Sequence, residues 1–181
     1  MKVYLHLADG FEDIEAIATA DILTRAGVEV LKVSVTGSKE VTSAYKTKVI
    51  ADKLYEEIDY QEADMIIFPG GLQGTQTLEA HKGLQENIIK FAKENRWIAA
   101  ICAAPTILGK MGLLEGKVAT CFPGMEQDLK GAKVSKEAVV VDGNIITSRA
   151  AGTTYPFALK LVEILIGQDV ANTLKSKMLI G

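Results

Sequence analysis

The chain has 181 residues, 48% of them hydrophobic, and a formal charge of −3 at neutral pH. That length suits one domain over residues 1–181 with a single sizeable core. The mild, scattered charge, without a Lys/Arg cluster, offers no footprint for a nucleic acid. The longest apolar run falls short of a membrane span and the N-terminus opens straight into a strand pattern, so no signal peptide or membrane segment is expected.

The cysteines, Cys102 and Cys121, make no disulfide framework, which fits a reducing cytoplasm. The histidines, His6 and His81, lack metal-ligand spacing, so no metal site is expected.

Lys2–Ala8 is a near-continuous apolar run and predicts a strand covered on both faces. His6 inside it reads as satisfied within the sheet. Asp9, with Glu12 three residues on, fits a capping box, so a helix is expected from there. Ile14, Ile17, Ala18 and Ile22 recur at helical spacing and predict its buried stripe, with Gly27 as a left-handed cap. Glu15 falls off that stripe, near the C-terminal end of the first strand, where open α/β sheets bind ligands. It reads either as a site carboxyl or as an exposed acid favoured by the helix N-terminus.

Val28–Val35 predicts a second strand, and Thr36–Ala51 a small irregular β excursion. Met65–Phe68 predicts a buried strand ending at Pro69-Gly70-Gly71. Paired glycines there suit a turn, or a close backbone approach whose N–H groups face an oxyanion. Gln73–Ala80 and Leu84–Glu94 read as helices, the second presenting Ile88, Ile89, Phe91 and Ala92 to the core.

Trp97–Cys102 predicts another buried strand, followed at once by a helix from Ala103 to about Met111. Ala100 and Ala104 flank Cys102, and Pro105 suits a first helical turn. Cys102 is either a small core residue or a nucleophile on a strand-to-helix turn. At a helix N-terminus its thiolate form is favoured. Lys117–Cys121 predicts a short strand, Lys130–Lys136 a polar loop, and Ala138–Ser148 a hairpin with Asp142-Gly143 at its turn. Helices follow over Thr153–Ile166, stopped by Gly167, and over Asp169–Lys177.

Alternating strands and helices imply a mostly parallel sheet between helix layers, with one added hairpin. Three strand ends, Asp9–Glu15, Pro69–Gly71 and Cys102–Ala103, then converge on one crevice. With no histidine to bring near Cys102, Glu15 is the available partner. A carboxyl beside a thiolate tends to stay protonated and to donate to the sulfur.

The segments ADGFEDIE (8–15), FPGG (68–71), AAICAAP (99–105) and TSRAAGT (147–153) resemble the ThiJ/PfpI superfamily, and within it the DJ-one-like branch. The resemblance runs along essentially the whole chain. It implies a flavodoxin-like three-layer α/β/α sandwich and a homodimer. It further implies Cys102 as reactive cysteine, Glu15 as its protonated partner, and the Gly71 and Ala103 N–H groups as oxyanion donors. Activities of that branch are cofactor-free: conversion of methylglyoxal or glyoxal to hydroxy acids in the manner of glyoxalase III, and deglycation of early adducts. Redox sensing through cysteine sulfinate and chaperone action belong to the alternative reading. Two departures stand out. Ala103 occupies the place of the histidine found in the protease branch, which argues against peptidase chemistry. Phe122 stands in the pocket where many DJ-one-like members carry a histidine before the residue matching Pro123. Cys121 beside it is a possible second thiol near the pocket.

Overall fold

The computed structural model describes residues 1–181. The chain forms β1 (Lys2–Leu7), α1 (Asp13–Arg25), β2 (Glu29–Ser34), β3 (Glu40–Thr42), β4 (Lys48–Ile50), β5 (Lys53–Leu54), β6 (Met65–Phe68), α2 (Leu72–Ala80), α3 (Lys82–Lys93) and β7 (Trp97–Ile101). It continues with α4 (Pro105–Lys110), β8 (Val118–Ala119), β9 (Lys133–Val134), β10 (Val139–Asp142), β11 (Ile145–Ser148), α5 (Thr154–Leu165) and α6 (Gln168–Lys177). The main sheet has seven strands in the order β10-β11-β7-β6-β1-β2-β5. Every neighbouring pair in it is parallel except the β10–β11 hairpin. This is the expected flavodoxin-like α/β sandwich.

Alternation along the central strands builds two cores. Val3, Leu5, Leu7, Met65, Ile67, Ala99 and Ile101 face α1, α5 and α6. Tyr4, Ile66, Phe68, Ile98 and Ala100 face α3 and α4. Because both faces are covered, these strands read as unbroken apolar runs rather than as alternating ones. Strand order reverses at β1 and β6: the chain leaves β1 toward β2 and β5, then returns through β6 to β7 and β11. A crevice opens at the C-terminal ends of the strands at such a reversal.

Several expectations shift. The cap of α1 is Glu12, whose carboxylate accepts from the Glu15 N–H at 2.8 Å, while Asp9 instead accepts from the Thr42 N–H at 2.8 Å. The helix therefore starts three residues later than an Asp9 cap implies, because the β3–β4 hairpin claims Asp9. The buried side of α1 is Glu15, Ala16, Thr19, Ile22 and Leu23. Ile14 and Ile17 are exposed, at 49% and 41%. Apolar periodicity misplaced the stripe because it could not weigh a buried carboxyl. In α3, Ile89 also faces outward, and Leu84 takes the core position.

The Lys130–Lys136 segment is not all loop, since β9 pairs in parallel with β8. The hairpin loop is Gly143-Asn144, one residue beyond the expected Asp-Gly, with Gly143 at φ +61°. α4 begins at Pro105 rather than Ala103. The two-stranded β3–β4 unit is the expected β excursion. His6 is fully buried, with Nε2 2.6 Å from the Tyr60 hydroxyl, and burial pushes its pKa down to about 3. No helix is long and apolar enough to cross a membrane.

Candidate active site

Three loops follow β1, β6 and β7 and meet at the crevice. The first carries Glu15 one turn into α1, where it is 1% exposed. Its Oε2 accepts from the Gly70 N–H at 2.8 Å, while Oε1 is buried without a hydrogen-bond partner. Burial pushes the Glu15 pKa up to about 7, against the opposing pull of the Gly70 N–H. A buried carboxyl with one unpartnered oxygen is the arrangement that retains a proton.

The second loop is held by glycines for steric reasons. A Cβ on Gly70 would lie 2.6 Å from both Glu15 Oε2 and Cys102 Cβ, and 3.1 Å from Cys102 Sγ. Any side chain there would occupy the space between carboxyl and thiol. Gly71 sits at φ +89°, and a Cβ on it would lie 2.2 Å from the Gly10 carbonyl oxygen. Only glycine meets both demands.

The third loop starts with Cys102 at φ +65°, a left-handed conformation that costs a non-glycine residue about 1 kcal/mol or more. The neighbourhood over-determines it. The Cys102 N–H donates to the Ser148 carbonyl at 3.0 Å, and its own carbonyl accepts from the Phe122 N–H at 2.7 Å. The backbone N–H groups of Gly71 and Ala103 have no backbone acceptor and both hold the Cys102 pKa down. These are the two N–H groups expected as oxyanion donors, and they converge on the sulfur.

Burial, then the Glu15 charge, nonetheless pushes the Cys102 thiol up to about 12. Both members of the pair move upward chiefly because burial penalises either anion, and the Glu15 charge adds to the Cys102 shift. Between the two ionisations the pair therefore carries one proton and one negative charge. This sharpens the expectation of a helix-dipole thiolate. α4 has only six residues and begins three positions beyond Cys102. Stabilisation of the anion falls to two aimed N–H groups and a carboxyl rather than to a macrodipole.

A cavity of about 610 Å³ opens over the sulfur. Its wall includes Glu12, Glu15, Gly71, Cys102, Ala103 and Phe122, so every sequence-expected site residue lies on it. Ala44, Tyr45, Leu72, Pro123–Met125 and Ala150–Gly152 complete the wall; Ala150–Gly152 belong to the TSRAAGT segment, whereas Ala44, Tyr45, Leu72 and Met125 were not singled out in the sequence. The β excursion expected over Thr36–Ala51 carried nothing to say where Tyr45 docks. The Ala150–Gly152 stretch is shaped by Thr153, whose Oγ1 accepts from the Arg149 and Ala150 N–H groups at 3.2 and 3.0 Å. Cys121 is not on the wall. Its Sγ donates to the Phe122 carbonyl at 3.4 Å, and burial pushes its thiol up to about 11.

A model of the DJ-1/PfpI family matches residues 1–164. Protein DJ-1 homologs B and A of Arabidopsis thaliana are each 38% identical, across 93% and 98% of this chain. The chain spans only 39% and 46% of their lengths. Glutathione-independent glyoxalase DJR-1.2 of Caenorhabditis elegans is 33% identical, covering 90% of this chain and 87% of that protein. The structure of oxidized Toxoplasma gondii DJ-1 superimposes with a TM-score of 0.94 at 32% identity, covering 98% of this chain and 97% of that one.

Proposed function

The chain belongs to the DJ-1/PfpI family, and on that premise we propose that it converts reactive α-oxoaldehydes such as methylglyoxal and glyoxal, or their early glycation adducts, to hydroxy acids without a cofactor. The observation that carries the reading is Cys102 beside a buried, proton-retaining Glu15, under two free N–H groups and an open cavity. A relative named as a glutathione-independent glyoxalase supports it.

In this reading Cys102 attacks the aldehyde carbon as thiolate. A carbon–sulfur bond forms, and the carbonyl oxygen takes a proton from Glu15 to give a hemithioacetal. The Gly71 and Ala103 N–H groups hold that oxygen while it is negative. Glu15, now a carboxylate, takes the proton from the former aldehyde carbon and returns it to the neighbouring carbonyl oxygen. The result is an enediol that collapses to a 2-hydroxy thioester as Glu15 relays the first hydroxyl's proton to the adjacent carbon. Water adds to the thioester and expels Cys102, releasing the 2-hydroxy acid. The sum is oxoaldehyde plus water, with no net oxidation. Lactate production from methylglyoxal by the wild type, Cys102→Ser and Glu15→Gln tests this. A large loss in both variants is expected, and equal rates in all three would overturn it.

A second reading is favoured by the exposure of Cys102, which is partly open while Cys121 is buried. Here peroxide oxidises Cys102 to a sulfinate, whose oxygens meet the Gly71 and Ala103 donors. Mass spectrometry after mild peroxide checks it, and oxidation of Cys121 ahead of Cys102 removes its basis. In either reading the chain acts as a homodimer, and the exposed Ile14 and Ile17 give α1 an apolar face for a second copy.

A further inference from the structure

The mouth of the Cys102 cavity has a composition that the catalytic pair does not explain. Phe122 is 44% exposed, Leu72 62% and Tyr45 76%, and all three lie on the cavity wall with Met125. They come from three separate segments: the β3–β4 hairpin tip, the start of α2, and the loop after β8, which contributes both Phe122 and Met125. Large apolar side chains left this open at a cavity rim gain from an apolar occupant that removes them from water.

The charge on the wall is one-sided. No Lys, Arg or His lines the cavity, although the chain has 20 Lys and Arg residues. The ionisable acids on it are Glu12 and Glu15. Arg149, adjacent in sequence to the wall residue Ala150, turns away, its Nη1 donating to the Lys136 carbonyl at 3.4 Å. A carboxylate, phosphate or nucleotide entering here meets two acids and an apolar rim, with no cation to balance its charge. The Gly71 and Ala103 N–H groups are taken up by the reacting oxygen.

We propose that this site selects uncharged α-oxoaldehydes bearing an aryl or bulky alkyl substituent, seated against Tyr45, Leu72, Phe122 and Met125, over small ones and over anionic carbonyl compounds. The substituent lies along the rim while the aldehyde carbon reaches Cys102. Phe122 and Tyr45 then act as specificity-determining residues. The substrate named rests on the function proposed above, but the selectivity of the rim does not, because it acts on any electrophile that approaches the sulfur.

Two measurements keep these apart. The first is covalent trapping of Cys102, followed by mass spectrometry, with phenacyl bromide against chloroacetone and with iodoacetamide against iodoacetate. Each ratio is normalised to the same ratio for glutathione. In these reactions the sulfur forms one bond to carbon and a halide leaves, so no turnover is needed. The aryl reagent is expected to gain about tenfold over the methyl reagent relative to glutathione, the scale of burying a phenyl ring. Neutral iodoacetamide is expected to gain about fivefold or more over anionic iodoacetate. Phe122→Ala and Tyr45→Ala each reduce the aryl preference, and Phe122→Lys reverses the charge preference. Ratios equal to those of glutathione, or an aryl preference that survives both alanine variants, would overturn the proposal.

The second measurement is kcat/KM for phenylglyoxal, methylglyoxal and glyoxylate, expected in that descending order. If no aldehyde is consumed while the trapping ratios stand, the aldehyde reading fails and the rim selectivity survives. If all three are consumed at equal kcat/KM, the selectivity fails and the aldehyde reading survives.

Discussion

Where the shared proton of the Glu15–Cys102 pair resides is decided by the sign of one shift. If Glu15 holds it, the carboxyl donates to an anionic sulfur, a charge-assisted bond worth about 1.5–3 kcal/mol. Glu15→Gln replaces that donor with a neutral amide of similar shape, whose bond is worth about 1 kcal/mol less. One pKa unit corresponds to about 1.4 kcal/mol, so Cys102 should titrate about one pH unit higher in the variant. If the sulfur holds the proton instead, Glu15 is an anion beside a thiol. The substitution then removes a charge that, at about 4 Å and an effective dielectric constant near 20, opposes thiolate formation by about 4 kcal/mol. Cys102 would fall from about 12 toward the ordinary 9.0. The two arrangements thus predict opposite directions. The assay is the rate of iodoacetamide alkylation at Cys102 across pH, followed on the Cys102 peptide so that Cys121 does not contribute. A downward shift in Glu15→Gln, or none, refutes the protonated-carboxyl reading.

Gly70→Ala places a Cβ 2.6 Å from Glu15 Oε2 and Cys102 Cβ. It should cost about 1–3 kcal/mol in thermal or urea unfolding and move Cys102 alkylation away from the wild-type pH profile. Because Cys102 sits at φ +65°, Cys102→Gly should be at least as stable as Cys102→Ala, whereas glycine elsewhere in an element loses about 0.5–1 kcal/mol to alanine; urea midpoints decide. The folded-state pKa of His6 lies at about 3, below its ordinary 6.5, so the unfolded chain binds that proton first. Its contribution is full above pH 6.5 and is lost as pH falls toward 3, about 5 kcal/mol in all. Glu15 runs the other way: its pKa rises from 4.5 to about 7, so its contribution of about 3 kcal/mol is present below pH 4.5 and lost as pH rises through 7. Urea unfolding across pH should show a shallower acid loss in His6→Gln and a smaller loss toward pH 7 in Glu15→Gln. Ile17→Glu should shift sedimentation from dimer to monomer, while an unchanged dimer would place the interface elsewhere.

Much of this protein was legible along the chain. The order of strands and helices, the strand-to-turn position of Cys102 and the Gly70-Gly71 pair are local patterns, governed by backbone sterics and hydrophobic periodicity. They fixed the fold class and the three loops of the site. The failures share a cause. The Asp9 cap, the Ile14–Ile17 stripe and the outward Ile89 each depend on what lies opposite, and a one-dimensional pattern carries no opposite side. Asp9 was claimed by the Thr42 N–H, from a hairpin remote in sequence. Glu15 took a core position that periodicity reserved for isoleucine, because the Gly70 N–H satisfies one of its oxygens there.

The Trp97–Pro105 stretch by itself determined a cysteine at a turn, with small neighbours and a free N–H behind it. Tertiary structure alone decided that Glu15 and Cys102 meet on one cavity wall, that Cys121 stays outside the cavity, and that Tyr45 and Leu72 reach its rim. Hydrogen-bond geometry at a turn is set by adjacent residues and can be read in order. Desolvation is set by everything that excludes water, and here five other segments must close around the Cys102 turn before either the Glu15 or the Cys102 pKa can move.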